Sequence, residues 1–338
     1  MNGAGPDVLA LPKGGGAVGG IGGSFAPDLN TGGGGYAVPL DLPHGVDGHT
    51  PQLTLQYSTA FGNGAFGLGW SIGTVRVELA TDTGSPRYDG SDAYTLAGAG
   101  RLVDVPGEPG ALVPETDGLG WRIRRDGDGF ALTDRAGVRH LVGTTAAGRV
   151  TDPDDPSRVF GWLVERSIRP SGDEIGYTWD ADGLLRSVTW AAYRLDFVYE
   201  SRPDPVLDGR AGFLRTTARR CTTIELHAPA QAASLLRRYR LDYTAGQPTG
   251  HSLLAGITLS GHGPAGEVTT FPRLAFGYTT SGFGLRAAGS AVAAVLAQPG
   301  GTLADLTGDG LPDAVVLGGG ASGSGGAPTV ARNRGELA

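Results

Sequence analysis

Phe61-Gly62-Asn63-Gly64-Ala65-Phe66-Gly67-Leu68-Gly69-Trp70-Ser71-Ile72 sets large apolar side chains at short, near-regular steps and fills the gaps with glycine. A helix is a poor host for such a run, because each interior glycine costs about 1 kcal/mol relative to alanine. The pattern predicts a sharp turn at Gly62-Asn63-Gly64 feeding an extended segment, with glycine where one backbone passes close to another. Phe66 and Trp70 are expected to bury their rings against a neighbouring sheet, since surface loops rarely carry Phe, Leu, Trp and Ile so densely.

The sequence on both sides reads the same way. Upstream, Gly35–Leu40 is extended, with Pro39 at a strand end or edge, and Leu53-Thr54-Leu55-Gln56-Tyr57 alternates apolar and polar residues. Downstream, Val75–Leu79 alternates too, and Tyr94–Leu96 and Leu102–Val105 flank Gly98-Ala99-Gly100, a hairpin signal. Trp121–Arg125 and Phe130–Thr133 flank Asp126-Gly127-Asp128-Gly129, and a turn at Asp134–Gly137 leads into Val138–Val142. Phe160–Val164, Ile175–Trp179, Leu253–Ser260 and Leu274–Tyr278 continue the series. The expectation is an all-β chain, an extended twisted antiparallel meander in which each strand pairs mainly with the next.

Composition bounds the function. The 338 residues include 60 Gly and 22 Pro, about a quarter of the chain, yet 40% of residues are hydrophobic, which suits many tight turns rather than disorder. The formal charge of −7, with 34 acidic against 27 basic residues, argues against nucleic acid as a partner, because phosphate neutralisation needs a basic face. Lys13 is the only lysine, and Cys221, the single cysteine, excludes an intrachain disulfide. No basic segment followed by an apolar stretch opens the chain, which points away from a signal peptide, and no apolar run is long enough for a membrane span.

Several motifs carry less chemistry than their letters suggest. Gly14, Gly16 and Gly19 satisfy G-x-G-x-x-G, but too little chain precedes them for the leading strand of a βαβ unit and no helical pattern follows. Asp126-Gly127-Asp128-Gly129 holds only two carboxylates and reads as a hairpin turn rather than a calcium loop. Cys221 and His227 would lie on one face of a strand but about 20 Å apart, too far for a nucleophile and its base. Cys221 is expected to be buried and structural. Arg215, Arg219, Arg220, Arg237, Arg238 and Arg240 form the basic excess and are expected on the outer face of alternating strands.

The motif with most chemistry is Asp305-Leu306-Thr307-Gly308-Asp309-Gly310-Leu311-Pro312-Asp313. Calcium takes about six to eight hard oxygens, and alternating residues of a tight loop supply them. Asp305, Thr307, Asp309, the Leu311 carbonyl and Asp313 are the candidate calcium ligands, and Ala314–Leu317 is the strand leaving the loop. Extracellular calcium modules bind with Kd of about 10⁻⁴–10⁻³ M, which leaves such a site mostly empty at cytosolic calcium.

Separate stretches resemble one family. Phe66-Gly67-Leu68-Gly69-Trp70-Ser71-Ile72 resembles the FGxGWS signature of the SpvB-type amino-terminal region, found in Salmonella virulence proteins and in the B components of insecticidal Tc toxin complexes. Leu11-Pro12-Lys13-Gly14-Gly15-Gly16-Ala17 is similar to the opening of that region. Arg210-Ala211-Gly212-Phe213-Leu214-Arg215-Thr216-Thr217-Ala218-Arg219-Arg220-Cys221 is similar to another of its segments. Tyr177, Trp179-Asp180, Gly183 and Leu185 resemble a degenerate YD repeat of RHS proteins, and Asp305–Asp313 resembles the FG-GAP/VCBS calcium repeat of β-propeller blades.

The resemblance implies a shell domain over residues 1–280, a linker over 281–300, and the first blade of an incomplete propeller over 301–338. It implies a non-enzymatic part of a bacterial toxin complex, enclosing an effector carried by an RHS-type C component and docking to the A-component translocation channel. It also implies release to the extracellular region after synthesis in the bacterial cytoplasm. One blade is fewer than a propeller needs, so the remaining blades are expected elsewhere. Two other readings are a calcium-dependent adhesion module and the targeting region of an ADP-ribosyltransferase toxin. The nine glutamates never stand two apart, so the Glu-x-Glu pair of that enzyme class is absent from this sequence.

Overall fold

The computed structural model describes residues 24–28, 33–116, 118–228, 234–246, 249–263, 265–278, 295–298, 300–306, 313–316 and 329–331. The chain divides into two compact units, Met1–Thr280 and Ser281–Ala338.

The first unit begins with a small sheet. β1 (Ser24–Asp28) and β2 (Gly33–Pro39) form a hairpin, and β3 (Thr54–Ser58) pairs with the other edge of β2. Pro39, which lacks an N–H, stands at the end of β2. Next come the short arms β4 (Asn63–Gly64) and β5 (Gly67–Leu68), paired with each other, and β6 (Trp70–Ile72), which returns to β3. The glycine-punctuated run therefore turns and then extends. Phe66 and Trp70 are 5% and 3% exposed, as their spacing in the sequence predicts. Gly69 holds φ +80°, and a Cβ there would lie 2.4 Å from Cε2 of Tyr57, so the positive φ and the Tyr57 ring packed on this backbone require glycine here.

A barrel follows. β7 (Arg76–Leu79), β8 (Tyr94–Leu96), β9 (Gly100–Asp104), β10 (Ala111–Pro114), β11 (Arg122–Asp126), β12 (Gly129–Thr133) and β13 (Arg139–Val142) pair each with the next. β14 (Arg149–Thr151) leads to β15 (Val159–Ile168), which closes the ring. The first half of β15 pairs with β7 (Trp162 opposite Val77) and its second half with β13 (Leu141 opposite Arg166), giving a closed eight-strand barrel. The open meander read from the sequence is corrected here: ten residues of β15 are long enough to serve different neighbours along each edge. Closure removes exposed strand edges, which an open wall would leave as pairing sites. Leu79, Leu96, Ile123, Phe130, Leu132 and Val142 fill the interior together with Trp162. Each fully buried side chain of this size contributes about 1.5–3 kcal/mol.

β16 (Glu174–Trp179), β17 (Leu185–Trp190), β18 (Tyr193–Asp208), β19 (Arg215–Ala228), β20 (Ser234–Ala245) and β21 (Ser252–His262) extend the sheet from β15 as a meander, and β22 (Val268–Thr270) and β23 (Leu274–Ala275) both pair with β21. Val188, Trp190, Leu195, Ile224, Leu226 and Leu254 lie on one face of the meander and cluster with Val38, Leu55 and Trp70 of the small sheet and with Phe66 of the β4–β5 turn. The long β18–β19 hairpin reaches the barrel. Ala211 at its tip is 0% exposed within the barrel's apolar cluster, and the Tyr88 hydroxyl donates to the Ala211 carbonyl at 2.6 Å. The end of the unit is held by aromatics. Tyr278 Oη accepts from Trp70 Nε1 at 2.8 Å and donates to the Leu254 carbonyl at 2.9 Å, while Phe276 lies 4.7 Å from the Trp70 ring.

In the second unit β24 (Gly301–Ala304), β25 (Asp313–Val316) and β26 (Thr329–Ala331) form a three-stranded antiparallel sheet, with Val295, Ala314 and Val316 clustered and buried. No described helix is long and apolar enough to cross a membrane.

Candidate functional site: a buried arginine anchor and an acidic loop

Within β18 the run Arg202-Pro203-Asp204-Pro205 interrupts the ladder to β19, and the register shifts between Ser201 and Val206. Two prolines cannot donate to a neighbouring strand, so a bulge forms where they stand. The Arg202 side chain is 0% exposed there. Its Nε donates to Asp204 Oδ1 at 3.1 Å and its Nη2 to Asp204 Oδ2 at 2.8 Å. Its other contacts hold the glycine-rich turn: Nη1 donates to the Gly64 carbonyl at 2.7 Å and Nη2 to Asn63 Oδ1 at 2.6 Å.

Asp204 is equally engaged. Ser252 donates to it through its N–H at 2.6 Å and its hydroxyl at 2.5 Å, and Asn63 Nδ2 donates at 3.1 Å. Burial pushes this carboxyl up, but the hydrogen bonds from Arg202, Ser252 and Asn63 outweigh burial and hold it well below the usual carboxylate range. Arg220 donates to Ser252 Oγ at 2.8 Å, pairs with Glu200 at 2.7 Å, and lies 4.6 Å over the Tyr243 ring. Tyr243 in turn donates to the Cys221 carbonyl, whose own N–H donates to the Ala65 carbonyl at 2.7 Å. A planar guanidinium with satisfied carboxylate and carbonyl partners is suited to fixing geometry. The arrangement anchors Asn63–Ala65 onto β18, β19 and β21. No sequence motif marks Arg202 or Asp204; the signal the sequence carries is the pair of prolines, Pro203 and Pro205, inside an otherwise strand-like run.

The candidate calcium ligands are only partly described. Thr307, Asp309 and Leu311 lie outside the described residues. Asp313 begins β25 with 0% exposure, and its Oδ2 accepts from the Leu306 N–H at 3.2 Å; Asp305 closely follows β24. Among the described residues no cluster of three or more His, Cys, Asp or Glu is arranged for a metal. Gly14, Gly16 and Gly19 also lie outside the described residues. Asp126 and Asp128 pair with Arg139 at 2.9 Å and Arg149 at 3.2 Å, as members of a hairpin turn.

Cys221 is 0% exposed, and burial pushes its thiol up; its Sγ donates to the Thr223 carbonyl, whereas His227 faces Asp196 and Glu225. Arg220, Arg237, Arg238 and Arg240 pair with Glu200, Asp41, Glu225 and Asp242. Arg215, Arg219 and Arg237 depart from the expected outer face, Arg237 sharing the parity of buried Tyr239 and Leu241 on β20. On β19 the other two share the inward parity of buried Cys221: Arg215 stacks 5.4 Å from the Phe160 ring, and Arg219 reaches Asp180 and Asp182 in the β16–β17 turn.

Comparison with known proteins adds family and fold. The family described as Salmonella virulence plasmid 65kDa B protein matches residues 29–125 and 119–187. The Mono(ADP-ribosyl)transferase SpvB of Salmonella choleraesuis strain SC-B67 is 33% identical over 202 residues, covering 51% of this chain and 33% of that protein. The Salmonella enteritidis protein of the same name is 33% identical over 201 residues, 51% of this chain and 32% of that one. The chain thus spans about a third of the length of these relatives. Among solved structures, TcdB2-TccC3 superposes with a TM-score of 0.72 at 21% identity over 92% of this chain and 19% of that one. The amino-terminal domain of the effector protein SpvB from Salmonella typhimurium strain LT2 gives 0.59 at 24% identity, over 67% of this chain and 99% of that one. At such identities the structural likeness speaks for the fold. Residues 29–187 are an SpvB-type region, in a chain whose fold is shared with Tc toxin structures.

Proposed function

We propose that this chain is a structural, non-catalytic segment of a bacterial toxin complex, forming part of a shell that encloses an effector polypeptide and docks to a translocation channel. The observation that carries the proposal is the fold likeness to TcdB2-TccC3 over 92% of the chain, joined by a TM-score of 0.73 to the Tc holotoxin pore structure of Photorhabdus luminescens. The partners in this reading are an RHS-type C component that carries the effector and an A-component channel. The β24–β26 sheet serves as the start of a calcium-dependent propeller blade, and the complex acts outside the producing cell. A wall must resist slipping under a confined polypeptide. Closed pairing in the barrel and the charged anchor at Arg202 supply that rigidity.

The test is co-expression of the full protein containing this chain with an RHS-type C component bearing its effector. Co-elution of the two in size-exclusion chromatography, with the effector resisting a protease that digests it when free, is the expected result. Separate elution with unprotected effector refutes the shell reading. Transfer of ADP-ribose to actin by the isolated chain would refute the non-catalytic part.

A further inference from the structure

Among the described residues, the buried side-chain nitrogens and oxygens that lack a hydrogen-bond partner are His49 Nδ1 and His140 Nε2. They belong to distant parts of the chain, brought to one side of the barrel because Arg169, which holds the Asp47 carbonyl near His49, follows Ser167, the ladder partner of His140, by two residues. His49 follows the 3-10 turn Val46–Gly48 in the linker between β2 and β3. His140 lies on β13 of the barrel, stacked on Trp121 at 5.2 Å and 10°, with Nδ1 2.8 Å from Ser167 Oγ on β15. The linker is tied to the barrel side by Arg169, whose Nη1 donates to the Asp47 carbonyl at 2.9 Å. Its other end is pinned separately, by Trp190 Nε1 donating to the Pro43 carbonyl at 3.0 Å.

We propose that His49 and His140 form an acid-operated latch: neutral, they let the Val46–Gly48 linker seat on the barrel, and protonated, they release it. The charged groups around both rings fix the direction. Burial lowers the pKa of His49, Arg169 lowers it further, and Asp173 and Asp134 act against them. Burial also lowers His140, opposed by Asp134, whose Oδ2 lies 3.8 Å from Nε2, beyond hydrogen-bond length; a charge on His49 lowers it again. A second proton at the junction therefore meets Arg169 and the first. Both rings fold preferentially neutral. A base whose folded pKa lies below its unfolded value of about 6.5 binds protons on release. The latch is thus complete above about pH 6.5 and weakens as pH falls from there toward the lowered values.

The proposal is independent of the shell reading, because it requires no partner. The experiment is hydrogen exchange on the full chain at about pH 7.5 and about pH 5.5, corrected for intrinsic rates, in the parent and in His49→Gln, His140→Gln and the double variant. The parent is expected to lose protection selectively at residues 44–50 and 169–173, by up to about tenfold for each ring, the limit set by the one unit between about pH 5.5 and the unfolded pKa of about 6.5. The double variant is expected to show no selective loss. His49→Gln alone, altering the less buried ring on the linker, is expected to keep only the His140 share of the loss, so the proposal stays testable should His140→Gln fail to fold. Asp134→Asn, which keeps the turn-capping oxygen but removes the opposing charge, is expected to deepen the loss at about pH 5.5. Equal protection of the parent at both pH values, or an undiminished loss in His49→Gln, overturns the latch.

Discussion

Arg202→Met keeps the stem of the side chain but removes the guanidinium that holds Asp204, Gly64 and Asn63. Asp204 remains 12% exposed, with its guanidinium partner gone, Ser252 and Asn63 left as hydrogen-bond donors and His251 Nδ1 3.9 Å from Oδ2. Breaking a buried pair by deleting one partner costs about 3–5 kcal/mol, and that range is expected here at neutral pH. The four guanidinium bonds are not counted again, because they are what the range measures. Urea unfolding followed by tryptophan fluorescence reads the change, since Trp70 is buried in the sheet that the anchor secures. Arg202→Met with Asp204→Leu removes both charges and is expected to recover at least about 1 kcal/mol of the single variant's loss, because apolar replacement of a buried pair is often neutral. The sign with pH follows from Asp204. Its folded pKa is depressed, so its contribution is present above the unfolded value of about 3.9 and fades as pH falls through the folded one. A loss below about 1 kcal/mol in Arg202→Met, or a double variant as weak as the sum of the singles, refutes the anchor.

Other outcomes follow from single sites. Gly69→Ala places a Cβ 2.4 Å from Tyr57 Cε2 at φ +80° and is expected to lower stability by about 2–4 kcal/mol, read from the urea midpoint; a change under about 1 kcal/mol would show that the turn relaxes freely. Cys221, buried with its thiol pushed up, is expected to resist alkylation in the folded protein and react at the rate of unfolding, and prompt labelling would contradict its place in the core. Calorimetric titration is expected to find calcium taken up at about 10⁻⁴–10⁻³ M and abolished by Asp309→Asn. Absence of saturable uptake by the parent ends the calcium reading.

Much of this protein is local and was therefore readable. The two-residue periodicity of Leu53–Tyr57 places Leu53 and Leu55 inside, and the Gly98–Gly100 and Asp126–Gly129 turns join the strands the sequence predicts. Phe66 and Trp70 announce burial by size and spacing. The anchor was less legible. Arg202 looked like any strand arginine, and its value depends on Asn63 and Ser252, which lie 139 and about 50 positions away. His49 and His140 carry no motif at all; their significance is that each buries a ring nitrogen without a hydrogen-bond partner, on segments that Arg169 ties together.

By itself the amino-acid order determined the class of structure, because alternation, β-branched and aromatic bulk, and glycine at turns act over a few residues. Tertiary structure decided the rest. Whether β15 pairs onward or back to β7, whether the Ala211 tip hangs free or fills a barrel, and which carboxylate a given arginine meets are all settled by long-range register. Register is chosen by the burial of whole faces at once, and no short stretch of sequence contains that sum.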